Sequence, residues 1–386
     1  MRDQSGEPGP RSPRRAGSRL HSALRWLGAL TGGRPWVGPA QVQLGLSDAC
    51  DGHCVFCRYA SGTTWRPSST PLMSLELAEA ILTALVRAGV ASLEVCGRGE
   101  PLLNRACVDV LATARGLGLA TSLVTNGRHL LRHDLARLVR LDPQYVNVSL
   151  DGGTEDSYEA LHRGAAAGTW QAVVEGVRAL VQAKQEAHNQ TTEVTLSLAV
   201  CGPTAEDPER MARIAADVGA TGILLFPTAL YQGMDDLALG DRREAAVASA
   251  RCAAALAEQA GLSHNVGRFL AMMAVTDPHR HAREIVRRVP CYAGHFFAQI
   301  GAGGEVYPCC ACDMLVGRTE GGDWEAVWGS EKYHEFRRAA RNLPRAGQPD
   351  FACYCESCFY AWTNLRIHRR LRPWAKASAA EGPGEP

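Results

Sequence analysis

The stretch QVQLGLSDACDGHCVFC, residues 41–57, begins as an alternation of polar and apolar side chains and ends in three cysteines. Alternation with a period of two marks a strand whose two faces differ. Residues 41–47 therefore read as a strand running straight into a loop that carries Cys50, Cys54 and Cys57. Three ligand-type residues are one fewer than a closed metal site takes, and a missing ligand leaves a metal corner open for a substrate or cosubstrate.

Outward from this loop a rhythm continues. Helical spacing of apolar residues over 74–89, with Ser74 as N-cap and Gly89 as stop, is followed by a strand at 91–97. Helices are expected at 106–118, 130–141, about 168–186 and 208–219, and strands at 120–127, 145–152, 192–200 and 222–229. Strands alternating with helices predict parallel β/α units with right-handed crossovers, which put the loops after the strands on one face. In barrels of this type that face holds the chemistry. The pattern ends near 230, so the fold class is α/β: a partial (β/α)6 TIM-like barrel, then a small α+β cysteine-rich domain. The expected divisions are a disordered basic tail over 1–38, the barrel over 39–235, a helical, Ala-rich linker over 236–288, the cysteine-rich domain over 289–362 and a tail over 363–386. Within the first tail, 20–30 has the pattern of a short amphipathic helix with Arg25 on its polar side. Residues 297–310 read as a β-hairpin around Gly301–Gly304.

The 386 residues carry 41 Lys+Arg against 40 Asp+Glu, so no global field points to nucleic acid or to anionic lipid. No apolar run approaches the roughly 20 residues of a membrane helix, and the chain reads as soluble and cytoplasmic. Cysteine usage is the anomaly: of 14, ten fall in two groups, at 50–57 and at 291–358. A large chain without a signal peptide is an unsuitable host for a disulfide framework, so clustered cysteines read as metal ligands. Cys96, Cys107, Cys201 and Cys252 read as buried thiols.

The spacing C-x3-C-x2-C, with Phe56 before the last cysteine, resembles the radical S-adenosylmethionine (SAM) enzymes. The segment CGRGEPLLN (96–104) is similar to that family's Gly-Gly-Glu-Pro motif, with Gly99, Glu100 and Pro101 matching and Arg98 replacing a frequent glycine. TNG (125–127), SLDG (149–152) and YEALHRG (158–164) follow in the family's order. The resemblance spans roughly 41–230. It implies a [4Fe–4S] cluster on Cys50, Cys54 and Cys57, and SAM contacts from Phe56, Gly99, Glu100, Pro101, Asn126, Ser149, Asp151 and Arg163. It also implies an external one-electron donor such as flavodoxin or ferredoxin, reductive cleavage of SAM, and hydrogen abstraction from an unactivated C–H bond.

Cys291, then Gly304-x4-Cys309, then Cys355-x2-Cys358 resembles the SPASM or shortened "twitch" auxiliary-cluster domains of the same family. That implies one auxiliary [4Fe–4S] cluster on Cys291, Cys309, Cys355 and Cys358; Cys310, Cys312 and Cys353 are left over and keep a second cluster open. Zinc held by four thiolates is the competing reading of this group. The expected substrate is a small polar metabolite of sugar or aminocyclitol type, with a ribosomally made peptide or protein as the alternative. A non-catalytic iron–sulfur carrier and a zinc-stabilised nucleic-acid binder are the rival classes; for the latter, Arg366, His368, Arg369, Arg370 and Arg372 offer a small basic patch. Neither nucleic acid nor membrane is expected as a partner.

Overall fold

The computed structural model describes residues 17–59, 71–231, 233–320, 322–346 and 353–380. Six strands follow the expected order: β1 (Gln41–Leu44), β2 (Ser92–Val95), β3 (Ala120–Thr125), β4 (Tyr145–Ser149), β5 (Glu193–Val200) and β6 (Gly222–Pro227). Each pairs in parallel with the next. Their outward side chains, among them Val42, Leu44, Leu93, Val95, Val146, Val148, Leu196 and Leu198, are buried against the surrounding helices. Burying each such side chain contributes roughly 1.5–3 kcal/mol before the entropy of ordering it. The helix Leu75–Arg87 starts where its cap predicts: Ser74 Oγ accepts from Leu77 N at 3.2 Å, and Gly89 turns with φ of 81°.

Four further strands extend this sheet, β7 (Ser263–His264), β8 (Phe297–Ile300), β9 (Glu305–Tyr307) and β10 (Gly317–Arg318), in the order β10-β9-β8-β1-β2-β3-β4-β5-β6-β7. The expected hairpin forms from β8 and β9, antiparallel with Gln299 opposite Tyr307. Its first strand also pairs in parallel with β1, Gln41 opposite Phe297. The cysteine-rich region is therefore continuous with the barrel sheet. The segment 236–288 carries the helices Arg243–Gln259 and Val266–Met273, with β7 between them pairing with β6.

Both expected tails need correction within the described residues. Gly17–Thr31 is a helix, and Ala361–Ala380 is another. Apolar side chains of each, Ala29 of the first and Ile367 and Leu371 of the second, are buried in one small cluster with Val289, Tyr292 and Phe296. Trp26 meets the Phe296 ring edge-on at 5.0 Å. Arg25, expected on a polar face, is buried and donates to Gly38 O at 2.8 Å and Gly89 O at 2.9 Å. Long-range packing, which local composition does not report, orders both segments. Residues 1–16 and 381–386, also assigned to tails, lie outside the described residues.

Candidate active site

The cysteine loop follows β1 at the expected face of the sheet. Gly52 N donates to Cys50 Sγ at 3.3 Å, and Cys57 N to Cys54 O at 3.0 Å, so the loop wraps back on itself. A Cβ on Gly52 would lie 3.2 Å from Cys54 Sγ and 3.3 Å from Cys50 Sγ, so a side chain there would press on both sulfurs. His53 takes a left-handed φ of 44°, which turns the chain between the first two cysteines. Val55 N donates to Leu161 O at 2.9 Å, and Cys54 forms a bridge with His162, so the segment 158–164 braces the loop.

The loop sits on the ends of β2 and β3. Glu100 N donates to Ala49 O at 2.9 Å, and a Cβ on Gly99 would come within 2.2 Å of that oxygen, which is the physical need for glycine there. The Glu100 carboxylate accepts from Leu102 N at 2.9 Å, Thr125 Oγ1 at 2.5 Å and Asn126 N at 2.8 Å. Pro101 opens the short turn Pro101–Leu103 that this carboxylate caps. Asn126 Nδ2 donates to Asp51 Oδ1 at 2.9 Å inside the cysteine loop. Asp151, at φ 49°, accepts from Ala199 N at 2.7 Å, and Ser149 Oγ lies 3.3 Å from Ser197 Oγ. Phe56 is half-buried and edge-on to His162, with ring centres 6.3 Å apart. Arg163 is exposed, with no hydrogen bond or ion pair among the described residues.

Two residues that the motifs did not single out also hold the loop. Arg128, directly after TNG, donates from Nη1 to Asp51 O at 2.6 Å and from Nε to Tyr158 Oη at 3.0 Å. His129 Nε2 lies 3.0 Å from Asp51 Oδ2. The available signal was their position next to a strand-end motif.

Burial pushes the Cys50 thiol up to about 11, and drives Cys54 higher still. Burial likewise raises the carboxyls of Glu100 and Asp151 to about 7. A strongly positive partner, as the irons of a cluster are, would favour the thiolate form of Cys50 and Cys54.

In the C-terminal region Cys291, Cys309, Cys355 and Cys358 line one small cavity. Cys312 and Cys353 line it too and are joined as a disulfide, their Cα atoms 4.0 Å apart. The pair expected as spare ligands is thus bonded to itself, while Cys310 remains a free thiol. Among the described residues no three or more His, Cys, Asp or Glu side chains converge closely enough to hold a single metal ion.

Below the loop the concave face of the sheet is polar. Glu94 of β2 accepts from Gln43 Nε2 of β1 and from Tyr145 Oη of β4, reaching past β3. Gln299 of β8 donates to Gln43 Oε1 at 3.4 Å. Asn147, between Thr195 and Ser197, continues the polar lining.

The family model of the Radical SAM superfamily matches residues 44–215, and that of an iron–sulfur cluster-binding domain, SPASM, matches residues 291–359. The chain is a radical SAM protein with a C-terminal SPASM domain. Among curated relatives, it is 36% identical over 124 residues to a GTP 3′,8-cyclase of Mycobacterium marinum, covering 32% of this chain and 34% of that one. It is 30% identical over 142 residues to the GTP 3′,8-cyclase of Listeria monocytogenes, covering 36% and 40%. This radical SAM protein thus spans about a third of the length of the first curated relatives it matches. The solved structure of anSMEcpe with bound AdoMet superposes with a TM-score of 0.57 at 16% identity, over 88% of this chain and 96% of that one. Streptococcus suis SuiB bound to S-adenosylmethionine gives 0.55 at 14%, over 78% and 68%. These two likenesses establish the fold. Membership brings a [4Fe–4S] cluster with SAM, and the SPASM domain an auxiliary cluster. Among the described residues, no helix is long and apolar enough to cross a membrane.

Proposed function

We propose that this radical SAM protein acts on a small polar metabolite of sugar or aminocyclitol type, removing hydrogen from an unactivated C–H bond so that the substrate is oxidised or rearranged. The observation that carries this reading is the polar lining under the cysteine loop, where Gln43, Glu94, Tyr145 and Gln299 from four different strands form one hydrogen-bonded group. Buried polar side chains are costly unless paired, and a lining of this kind suits hydroxyl-rich substrates better than apolar ones.

Cys50, Cys54 and Cys57 would hold the catalytic cluster, leaving one iron for SAM; Cys291, Cys309, Cys355 and Cys358 would close the auxiliary one. When bound, the reduced cluster and SAM supply a 5′-deoxyadenosyl radical, with an external donor such as flavodoxin or ferredoxin providing the electron. The chain's own residues do the rest. Glu100 fixes the turn after β2 against the turn after β3. Arg128 and Asn126 hold Asp51, and with it the spacing of the cysteines. Asp151, Ser149 and Arg163 would face the cosubstrate, and the cysteine-rich region would help to exclude water from it. The setting is the cytoplasm.

The test is anaerobic incubation of reconstituted protein with SAM, dithionite and a panel of sugars, aminocyclitols and peptides, reading 5′-deoxyadenosine by mass spectrometry. Enhancement above the substrate-free level by a small polar compound is the expected result. Enhancement by peptides alone would overturn the substrate class, and no 5′-deoxyadenosine under any condition would overturn the chemistry.

A further inference from the structure

We propose that Arg58 and Arg98 form a binding site for an anionic group of the substrate, a carboxylate or a phosphate, at the seam between the cysteine loop and the SPASM domain. The proposal rests on the reading of the barrel mouth as the substrate site and narrows the substrate to an acidic polar molecule.

Both arginines are inside the protein, Arg58 8% and Arg98 5% exposed. Arg58 directly follows Cys57, and Arg98 stands where the resemblance places a glycine. Each reaches across to the second cysteine group. Arg58 Nη1 donates to Cys310 O at 3.3 Å, and its Nη2 meets Asp313 Oδ1; both Nη atoms of Arg98 lie 3.4 Å from the same oxygen. Two guanidiniums thus converge on one carboxylate oxygen, and the contacts of Arg98 are longer than the usual charge-assisted bond of about 2.7–2.9 Å. Arg98 Nε is buried and has no hydrogen-bond partner among the described residues. A guanidinium taken from water with an unmatched donor costs free energy unless an acceptor arrives.

The two cations are carried on aromatic faces. The Arg98 guanidinium carbon lies 3.7 Å from the centre of the Tyr307 ring and 5.1 Å from that of Tyr59, and the Arg58 carbon 4.6 Å from that of Tyr354. Ring faces stabilise the charge without offering an acceptor for the N–H groups. A bidentate anion, with two oxygens for a planar fork, is the ligand such donors select.

The test uses the full chain, reconstituted anaerobically and saturated with SAM, titrated calorimetrically with inorganic pyrophosphate and, separately, succinate. Whichever probe binds names the source of the anion. Arg98→Gln is expected to weaken binding at least tenfold and Arg98→Lys less. Asp313→Asn, which removes the competing carboxylate, is expected to tighten it about threefold. A brace between domains would not tighten anything when broken. Absence of binding by both probes, or binding indifferent to these substitutions, overturns the proposal. Should the glutamine variant fail to fold, Asp313→Asn decides: tighter binding supports the site, unchanged or weaker binding overturns it. Wild-type 5′-deoxyadenosine formation, measured on the same preparation, separates the two readings. If it is missing while pyrophosphate binds, the radical chemistry falls and the anion site stands; the reverse pattern removes the anion site alone.

Discussion

Glu100 Oε2 accepts the backbone N–H of Asn126 at 2.8 Å, so one carboxylate ties the turn after β2 to the turn after β3, directly behind the cysteine loop. Glu100→Ala strands three donors at once, those of Leu102, Thr125 and Asn126. The expected loss is about 2–4 kcal/mol of stability, read as a lower urea midpoint, with at least a tenfold fall in 5′-deoxyadenosine formation.

The same residue gives a pH signature in metal-free protein. Burial raises its carboxyl to about 7 in the fold, so the folded chain holds the proton more tightly than the unfolded one. Its contribution to stability is therefore fullest below the ordinary carboxyl value, falls as pH rises to about 7, and is level above. Between about pH 5 and about pH 8 the wild type should lose about 1–3 kcal/mol relative to Glu100→Gln. Urea midpoints of the two metal-free proteins check this; a difference independent of pH would contradict it.

Iron content distinguishes the two cysteine groups. Two four-iron clusters require about 8 iron per chain. Replacing Cys50, Cys54 and Cys57 by alanine should leave about 4 and abolish SAM cleavage, while Cys355→Ala with Cys358→Ala should also leave about 4. Loss of all iron from either variant would mean that the two sites do not load independently.

Arg128 holds the main chain of Asp51 between the first and second cysteines. Arg128→Ala should weaken SAM binding to reconstituted protein at least about tenfold, or about 1.4 kcal/mol, with iron content retained. Calorimetric titration of SAM provides the measurement, and unchanged affinity would remove Arg128 from the site.

Arg25 anchors the N-terminal helix through the carbonyls of Gly38 and Gly89. Arg25→Ala is expected to cost about 2–4 kcal/mol, since a charged donor is lost from two buried acceptors. The readout is the thermal midpoint of the full chain.

The strands β1 to β6 and the loop of Cys50, Cys54 and Cys57 were legible because each announces itself locally, by alternation or by spacing. Ser263–His264 was not, since two residues carry no period. The helix Gly17–Thr31 showed itself in part, as the amphipathic pattern over 20–30, but its packing on Phe296 and the C-terminal helix, far away in the chain, did not. Gly99 and Glu100 could be placed by motif, yet the partners of Glu100 at Thr125 and Asn126 belong to the next strand's end. Arg98 was noticed as a departure from a pattern; its meeting with Asp313 joins positions 215 residues apart, which no local rule reaches.

The parallel register of Gln41 with Phe297 makes the hairpin of the SPASM domain a continuation of the barrel's own first strand. A chain cut short ahead of that hairpin would present β1 as a bare, sticky border, inviting aggregation. Swapping in the corresponding region of a distant homologue would succeed only if the donor's strand met β1 in the same step. The spacing between the two cysteine-bearing sites is thus inherited from backbone hydrogen bonding, and a slip of a single residue would turn every side chain on that strand inside out.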